Sequence, residues 1–208
     1  ADDYLSKVSK GNMSVNYAYS NGRLASITNN NAVYGFTYNT YGAVERIKAD
    51  GTDILVNTYK ANNGKLLSTQ YAGTTVRYTY DELDRVSQVS YDNGDTIKYK
   101  YDGSDNLIQR SQNGGLEWNY LYDNSGMLIG STNNDDYWSK YKYDAAGRVT
   151  ALIRVNDGKT HSTGFAYNKF GQAEKVKMTG GAQEINGTNT YDALGRLTKK
   201  LWDTAGNK

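Results

Sequence analysis

Between Tyr78 and Val149 the chain reads Tyr78-Thr-Tyr80-Asp81-Glu-Leu-Asp84-Arg85-Val86, then Tyr99-Lys-Tyr101-Asp102, Tyr120-Leu-Tyr122-Asp123-Asn-Ser-Gly126 and Tyr141-Lys-Tyr143-Asp144-Ala-Ala-Gly147-Arg148-Val149. The step from one Tyr-x-Tyr-Asp to the next is 21 residues each time. A fixed period of this length marks a repeat array, in which each unit is one supersecondary element that buries its apolar face by stacking on its neighbours.

Working outward, weaker copies of the same words flank the regular block. On the N-terminal side stand Tyr17-Ala-Tyr19-Ser-Asn-Gly22, one residue short in its turn, Phe36-Thr-Tyr38-Asn39-Thr-Tyr-Gly42, and a degenerate unit with Tyr59 alone and an extra residue before Gly64. On the C-terminal side the step widens to 24, giving Phe165-Ala-Tyr167-Asn168-Lys-Phe-Gly171 and Asn189-Thr-Tyr191-Asp192-Ala-Leu-Gly195-Arg196-Leu197. A fragment, Trp202-Asp203-x-x-Gly206, follows after 11 residues. Residues 1–14 read as a lead-in strand or the end of a preceding unit, and 15–208 as about nine units plus a truncated tenth. The chain reads as a segment of a longer polypeptide.

Each unit reads as two strands and a turn. Tyr-x-Tyr puts both rings on one face of a strand, because strand side chains alternate with period two. The Asp or Asn after the second ring accepts hydrogen bonds from amides two residues on, and the glycine supplies a positive φ. Asp84 and Asp105 replace that glycine in two units, as Asp visits the left-handed region more readily than most residues. Between units lie Asp50-Gly51, Asn93-Gly94, Asn113-Gly114, Asp157-Gly158 and Asn186-Gly187, dipeptides that signal hairpins. With a turn about every ten residues the expectation is an all-β antiparallel meander of roughly 18 to 20 strands, each about 5 or 6 residues long.

The face pattern predicts a wall with one aromatic side. Val15, Tyr34, Val76, Ile97 and Trp118 extend the tyrosine face, and Arg77, Thr79, Lys98, Lys100, Glu117, Asn119, Lys140 and Lys142 occupy the other. In the return strands Val86 and Val89 are three apart and reach one face only if a bulge intervenes. An aromatic face of this width and two open edges call for curling or a covering layer, and the edges invite self-association.

Composition narrows the chemistry. The 208 residues include 20 Tyr, 22 Gly, one His, no Pro and no Cys, and the mean hydropathy is −0.77, so the apolar content is largely tyrosine and suits strands. Without cysteine there is no disulfide and no Cys-based zinc site. A net charge of +2 without a basic block gives no footprint for nucleic acid. No run of apolar residues is long enough to span a bilayer as a helix.

The words Tyr-x-Tyr-Asp-x-x-Gly-Arg-Leu/Val resemble the YD repeat of the RHS family, most fully at Tyr141–Val149 and Tyr191–Leu197. The resemblance implies a secreted or cell-surface protein of bacterial type, in which repeats form a curved or spiralling β-sheet shell. In bacterial toxins of the family such a shell encloses a C-terminal toxin domain, and in teneurin-like proteins it forms a barrel involved in adhesion. The chain departs from the pattern in having no proline-rich self-cleaving core motif and no toxin domain, so it resembles part of a wall.

Candidate chemistry is sparse. His161, near Asp157, Ser162 and Thr163, reads as an exposed loop histidine rather than a triad base. The recurring turn aspartates Asp81, Asp102, Asp123, Asp144 and Asp192 read as caps, since a catalytic pair is needed once and a cap at every turn. Asn133-Asn134-Asp135-Asp136 offers oxygen ligands without calcium-loop spacing and reads as a polar turn. No catalytic, cofactor-binding or metal-ligating residue is expected. The exception to the face rule is Trp138, which falls on the polar face with Lys140 and Lys142. Exposed aromatics among polar side chains stack sugar rings, so these three are a possible glycan contact, against the plainer reading that Trp138 covers a neighbouring strand. The remaining named positions, Gly126, Gly147, Arg148, Tyr167, Gly171, Tyr191, Gly195 and Arg196 with the tyrosines above, are structural anchors.

Overall fold

The computed structural model describes residues 4–29, 31–133, 135–180 and 183–205. Their contacts fall into two compact units, Ala1–Ile97 and Lys98–Lys208. Among the described residues all regular structure is β, in 19 strands, a number inside the expected range, whose lengths of 4 to 9 residues spread wider than the expected 5 or 6.

The first unit holds β1 (Lys7–Lys10), β2 (Met13–Ser20), β3 (Arg23–Asn29), β4 (Val33–Tyr38), β5 (Val44–Ala49), β6 (Thr52–Tyr59), β7 (Leu66–Tyr71), β8 (Thr74–Tyr80) and β9 (Val86–Tyr91). Each pairs antiparallel with the next. The division between units falls inside β10 (Thr96–Tyr101). The second unit continues with β11 (Leu107–Gln112), β12 (Glu117–Tyr122), β13 (Leu128–Asn133), β14 (Trp138–Tyr143), β15 (Val149–Asn156), β16 (Lys159–Tyr167), β17 (Ala173–Gly180), β18 (Gln183–Tyr191) and β19 (Leu197–Ala205). From β11 onward these also pair antiparallel in chain order.

Among the described residues no hydrophobic side chain is fully buried. Each unit is a single β-layer, and the tyrosines of its Tyr-x-Tyr pairs are half-buried against strand neighbours rather than sealed in a core. Stability therefore resides in cross-strand pairs and neighbour contacts, as in other repeat arrays.

The YD turns are built as the sequence predicts. Asp81 donates its amide to the Arg85 carbonyl at 2.9 Å and accepts the Asp84 amide at 3.0 Å, and Asp84 has a φ of 67°. Three-residue loops that end in a left-handed residue have this form. Asp105 takes the same conformation at 66°, and Gly126, Gly147, Gly171 and Gly195 lie between 77° and 81°. The bulge that a one-sided return strand requires is present at the Tyr80 turn. Tyr80 opposes Val86 while Thr79 opposes Gln88, leaving Ser87 as the extra residue, so Val86 and Val89 stand opposite Tyr80 and Tyr78 on one face. The slip recurs beside Tyr19, Tyr38, Tyr59, Tyr122, Tyr143, Tyr167 and Tyr191.

Two expectations need correction. Asn186-Gly187 is not a turn: both residues lie inside β18, where Gly187 opposes Val176 on one side and Trp202 on the other. A Cβ at Gly187 would stand 2.7 Å from the Trp202 ring, so the bare glycine is the seat for an aromatic cover. The hairpin closes instead beyond the Gly180–Gln183 pair, and Gly181 and Ala182 are outside the described residues. His161 is exposed but belongs to β16, opposite Arg154 and Gly180, rather than to a loop. Its ring lies over the open Cα face of Gly180. Trp202 and Asp203 pair with Gly187 and Asn186 within β19, while Gly206 of the proposed last fragment is outside the described residues.

Candidate functional site: the seam between repeats

The feature that links one repeat to the next starts at the second tyrosine of each unit. Its ring sits opposite the first residue of its own return strand, as in Tyr143 opposite Val149. Its hydroxyl, however, donates to the equivalent residue of the preceding unit. Tyr38 reaches the Leu24 carbonyl at 2.8 Å, Tyr59 that of Val44 at 2.6 Å and Tyr80 that of Leu66 at 2.7 Å. In the second compact unit Tyr122 reaches Leu107 at 3.0 Å, Tyr143 reaches Leu128 at 2.6 Å, Tyr167 reaches Val149 at 2.7 Å and Tyr191 reaches Ala173 at 2.8 Å. At the N-terminal end Tyr19 donates to Leu5 at 3.1 Å and stacks on Tyr4 with ring centroids 4.7 Å apart. Where the first ring of a pair is missing, an asparagine takes its place on the same acceptor. Asn57 joins Tyr59 on the Val44 carbonyl, and Asn189 joins Tyr191 on that of Ala173, both at 2.8 Å.

A cation closes the same joint from the other side. The residue after the left-handed turn position projects toward the next unit, placing Arg23 over the Tyr38 ring at 5.7 Å, Lys65 over Tyr80 at 4.9 Å and Arg148 over Tyr167 at 4.7 Å. The same side chains run along the next turn, where Arg23 lies against Gly42 and Arg148 against Gly171. Lys65 bonds the Asp84 carbonyl, and Gln172 donates to the Gly195 carbonyl at 2.8 Å. Thus the Gly-Arg of the repeat serves two units: the glycine shapes its own turn, and the arginine covers the tyrosine that follows.

Electrostatics fit this role. Burial, then the neighbouring Tyr141 hydroxyl, pushes the Tyr143 pKa above its ordinary value, and Tyr80 and Tyr122 shift upward for the same reasons. The phenols stay protonated and remain donors. In the turn, the amide of Arg148 and then its guanidinium hold the Asp144 carboxyl below its usual range. Asp81 and Asp192 are lowered in the same way by Arg85 and Arg196. These aspartates cap turns: Asp144 Oδ1 accepts the amides of Ala146 and Arg148 at 2.9 and 3.0 Å.

The other candidates separate from this seam. Asn133 accepts the amides of Asp135 and Tyr137 at 3.0 and 2.9 Å, and Asp136 has a φ of 59°. That stretch is a turn of the YD kind, with Asn134 outside the described residues. Among the described residues no three His, Asp or Glu side chains are grouped to hold a metal ion. Trp138 is 41% exposed, with Lys140 and Lys142 exposed beside it on β14. It lines a shallow groove with Thr132, Asn133, Asp136, Tyr137 and Val155. Trp118 instead meets Tyr137 edge-on at 5.1 Å.

Sequence reasoning placed the rings, the caps and the bulges but not the hydroxyl contacts. Their one trace in sequence is a steady distance of 14 or 15 residues from tyrosine to acceptor through Tyr143, and 18 thereafter.

This arrangement, a period of YD turns joined by tyrosine and cation, coincides with a known family: the profile described as Teneurin YD-shell matches residues 4–163. The chain belongs to the teneurin YD-shell family. Among solved structures, this YD-shell chain resembles one in the crystal structure of TcdB2-TccC3-Cdc42, with a TM-score of 0.62 and 13% identity. The match covers 94% of this chain and 15% of that one, so the YD-shell fold is shared and this chain spans a small part of the longer protein's length. A porin-like protein from Bacteroides uniformis ATCC 8492 aligns with a TM-score of 0.39 and 10% identity over 91% of this chain and 92% of that one, too weak a likeness to bear on the fold. No curated protein matches the chain.

Proposed function

We propose that this YD-shell chain is a non-catalytic wall segment of a secreted or cell-surface protein of bacterial type, and that the wall encloses or presents a partner domain of the same parent polypeptide. The observation that carries the reading is the seam. The joints described above hold one repeat to the next, and among the described residues no hydrophobic side chain is fully buried. Such a layer grows by the unit and gains function from what it surrounds. The match of the fold to 15% of a much longer chain agrees with a segment of a larger assembly.

The test is limited proteolysis of the parent polypeptide. The partner domain is expected to survive in the intact protein and to be digested when the seam is opened by the double substitution Tyr143→Phe, Tyr167→Phe. Digestion at the same rate in both proteins, or a parent polypeptide without a further domain, refutes enclosure.

A second reading, a carbohydrate-binding or adhesion surface, has one observation in its favour: the exposed Trp138 beside Lys140 and Lys142. A glycan array probed with the wild type and Trp138→Ala decides it. A signal that Trp138→Ala leaves unchanged removes this site.

A further inference from the structure

The aromatic face changes chemistry within the second compact unit. Away from the turns, that face of β2 to β9 carries no charged side chain. The column two residues before each first ring reads Val15, Tyr34, Val76, Ile97 and Trp118, and then Ser139, Thr163 and Gly187. Ser139 opens a polar row across the strands. It lies opposite Ser131 on β13 and Arg154 on β15, and Arg154 lies opposite His161 on β16. The two serine hydroxyls satisfy each other at 2.7 Å, and Ser139 is 4% exposed, so they form a fixed floor. Arg154 and His161 stand exposed beside it, with the exposed Lys159 two residues before His161 on the same face. The imidazole is seated over Gly180, where any side chain would collide with it.

Three basic side chains are thus gathered without a counter-charge. Cross-strand pairs gain stability from opposite charge, yet Arg154 faces an imidazole. The register puts Glu117, Glu184 and Asp203 on the other face, where Glu184 is bound to Lys177 at 2.8 Å. Asp157, in the adjoining turn, meets the Asn156 side-chain amide at 3.5 Å. Among the described residues no carboxylate pairs with Arg154, Lys159 or His161. A local rule broken without compensation inside the chain marks a site whose compensation comes from outside. We infer that the row on β14, β15 and β16 docks an acidic stretch of a partner polypeptide, whose carboxylates supply the counter-charge. The arginine fork holds a carboxylate through two parallel hydrogen bonds. Lys159 and His161 recur at roughly 6.4–6.8 Å along their strand, the step at which alternate side chains of an extended peptide recur. Tyr141 and Leu152, paired in the next row of the same face, give the acidic side chains an apolar border for their stems. The inference deepens the wall reading and rests on it, because it gives the chemistry of the partner and the face that meets it.

The test uses the whole 208-residue chain and a fluorescein-labelled octapeptide of alternating glutamate and threonine. Saturable binding by fluorescence anisotropy is expected, and the same peptide with glutamine for glutamate should not bind. Arg154→Gln should weaken binding about tenfold, the worth of a hydrogen bond to a charged group, and Lys159→Gln about threefold, the worth of an exposed ion pair. Lys175→Gln, which removes an exposed charge from the opposite face, should leave binding unchanged. Far-UV circular dichroism checks the fold of each variant, and Lys159→Gln carries the test if Arg154→Gln unfolds. No saturable binding, equal binding of the glutamine peptide, or a loss from Lys175→Gln as large as that from Arg154→Gln overturns the proposal. So does displacement of the peptide by dextran sulfate at a lower concentration than by unlabelled peptide, which assigns the row to a sulfated glycan. A dimer of the chain that the peptide does not displace in sedimentation also overturns it and assigns the face to a second copy. Peptide binding needs no partner domain, so failure here and failure of enclosure are distinguishable.

Discussion

The hairpins β14–β15 and β18–β19 are written in nearly the same letters, Tyr143-Asp-Ala-Ala-Gly147-Arg148-Val149 and Tyr191-Asp-Ala-Leu-Gly195-Arg196-Leu197. They share the left-handed glycine, the bulge after the tyrosine and the aspartate that accepts two amides and a guanidinium. They differ in cover among the described residues: Arg148 and Val149 lie under the next repeat, and Arg196 and Leu197 are exposed. The motif therefore encodes two things that separate cleanly. The turn is local and forms in any copy, whereas the joint is shared and exists where a neighbour follows.

Substitutions can test that separation. The largest effect is expected from Gly147→Val and Gly195→Val, because a β-branched residue in the left-handed region costs roughly 1–2 kcal/mol. Chemical denaturation should report similar losses at both sites, since the turn is local. A loss confined to Gly147 would mean that the last turn is not held in the same conformation. Next comes Tyr143→Phe, expected to cost about 1 kcal/mol for the lost hydroxyl bond. Tyr191→Phe should match it, because Tyr191 also has its acceptor, the Ala173 carbonyl.

The sharpest contrast is smaller. Arg148→Ala should exceed Arg196→Ala by about 0.5–1 kcal/mol, the cation–π contribution present at one site and absent from the other. Equal losses in thermal denaturation would break the distinction between turn and joint. The gentlest test is pH. Asp144 and Asp192 titrate lower folded than unfolded, so what they contribute is complete above the unfolded value near about 3.9 and is lost as pH falls through the folded value. The thermal midpoint should drop below about pH 4. Asp144→Asn and Asp192→Asn should each flatten that drop to the same degree, as both carboxylates make the same local bonds.

What could be read from sequence follows the same line. Local features were legible because each is dictated by a few adjacent residues: Asp84 and Asp105 standing in for glycine, the shortened turn at Asn21-Gly22, the slip between Val86 and Val89. Features that depend on a residue in another repeat were not. Nothing near Tyr80 indicates that its hydroxyl belongs to Leu66. Asn186-Gly187 failed as a turn signal because Trp202, fifteen positions on, covers the glycine and turns a flexible dipeptide into a strand. His161 was misplaced in a loop for a related reason: its neighbours Lys159, Thr160, Ser162 and Thr163 carry little apolar alternation, and the pairing with Arg154 and Gly180 makes the strand. Of the candidate surface, the exposure of Trp138 beside Lys140 and Lys142 was legible from period two alone.

The change in tyrosine-to-acceptor distance from 15 residues at Tyr143 to 18 at Tyr167 has a practical consequence. The three added residues enter through the longer strands β15 and β16 and their Asp157-Gly158 turn, yet the hydroxyl bond is the same to within 0.1 Å, 2.6 against 2.7 Å. Length also varies at the YD turns, where the turn at Asn21-Gly22 is one residue short and that before Gly64 one residue long, while Tyr38 and Tyr80 still bond the Leu24 and Leu66 carbonyls at 2.8 and 2.7 Å. Foreign loops, epitopes or affinity handles grafted at Asp157-Gly158 or Asn113-Gly114 should therefore leave the repeat lattice undisturbed.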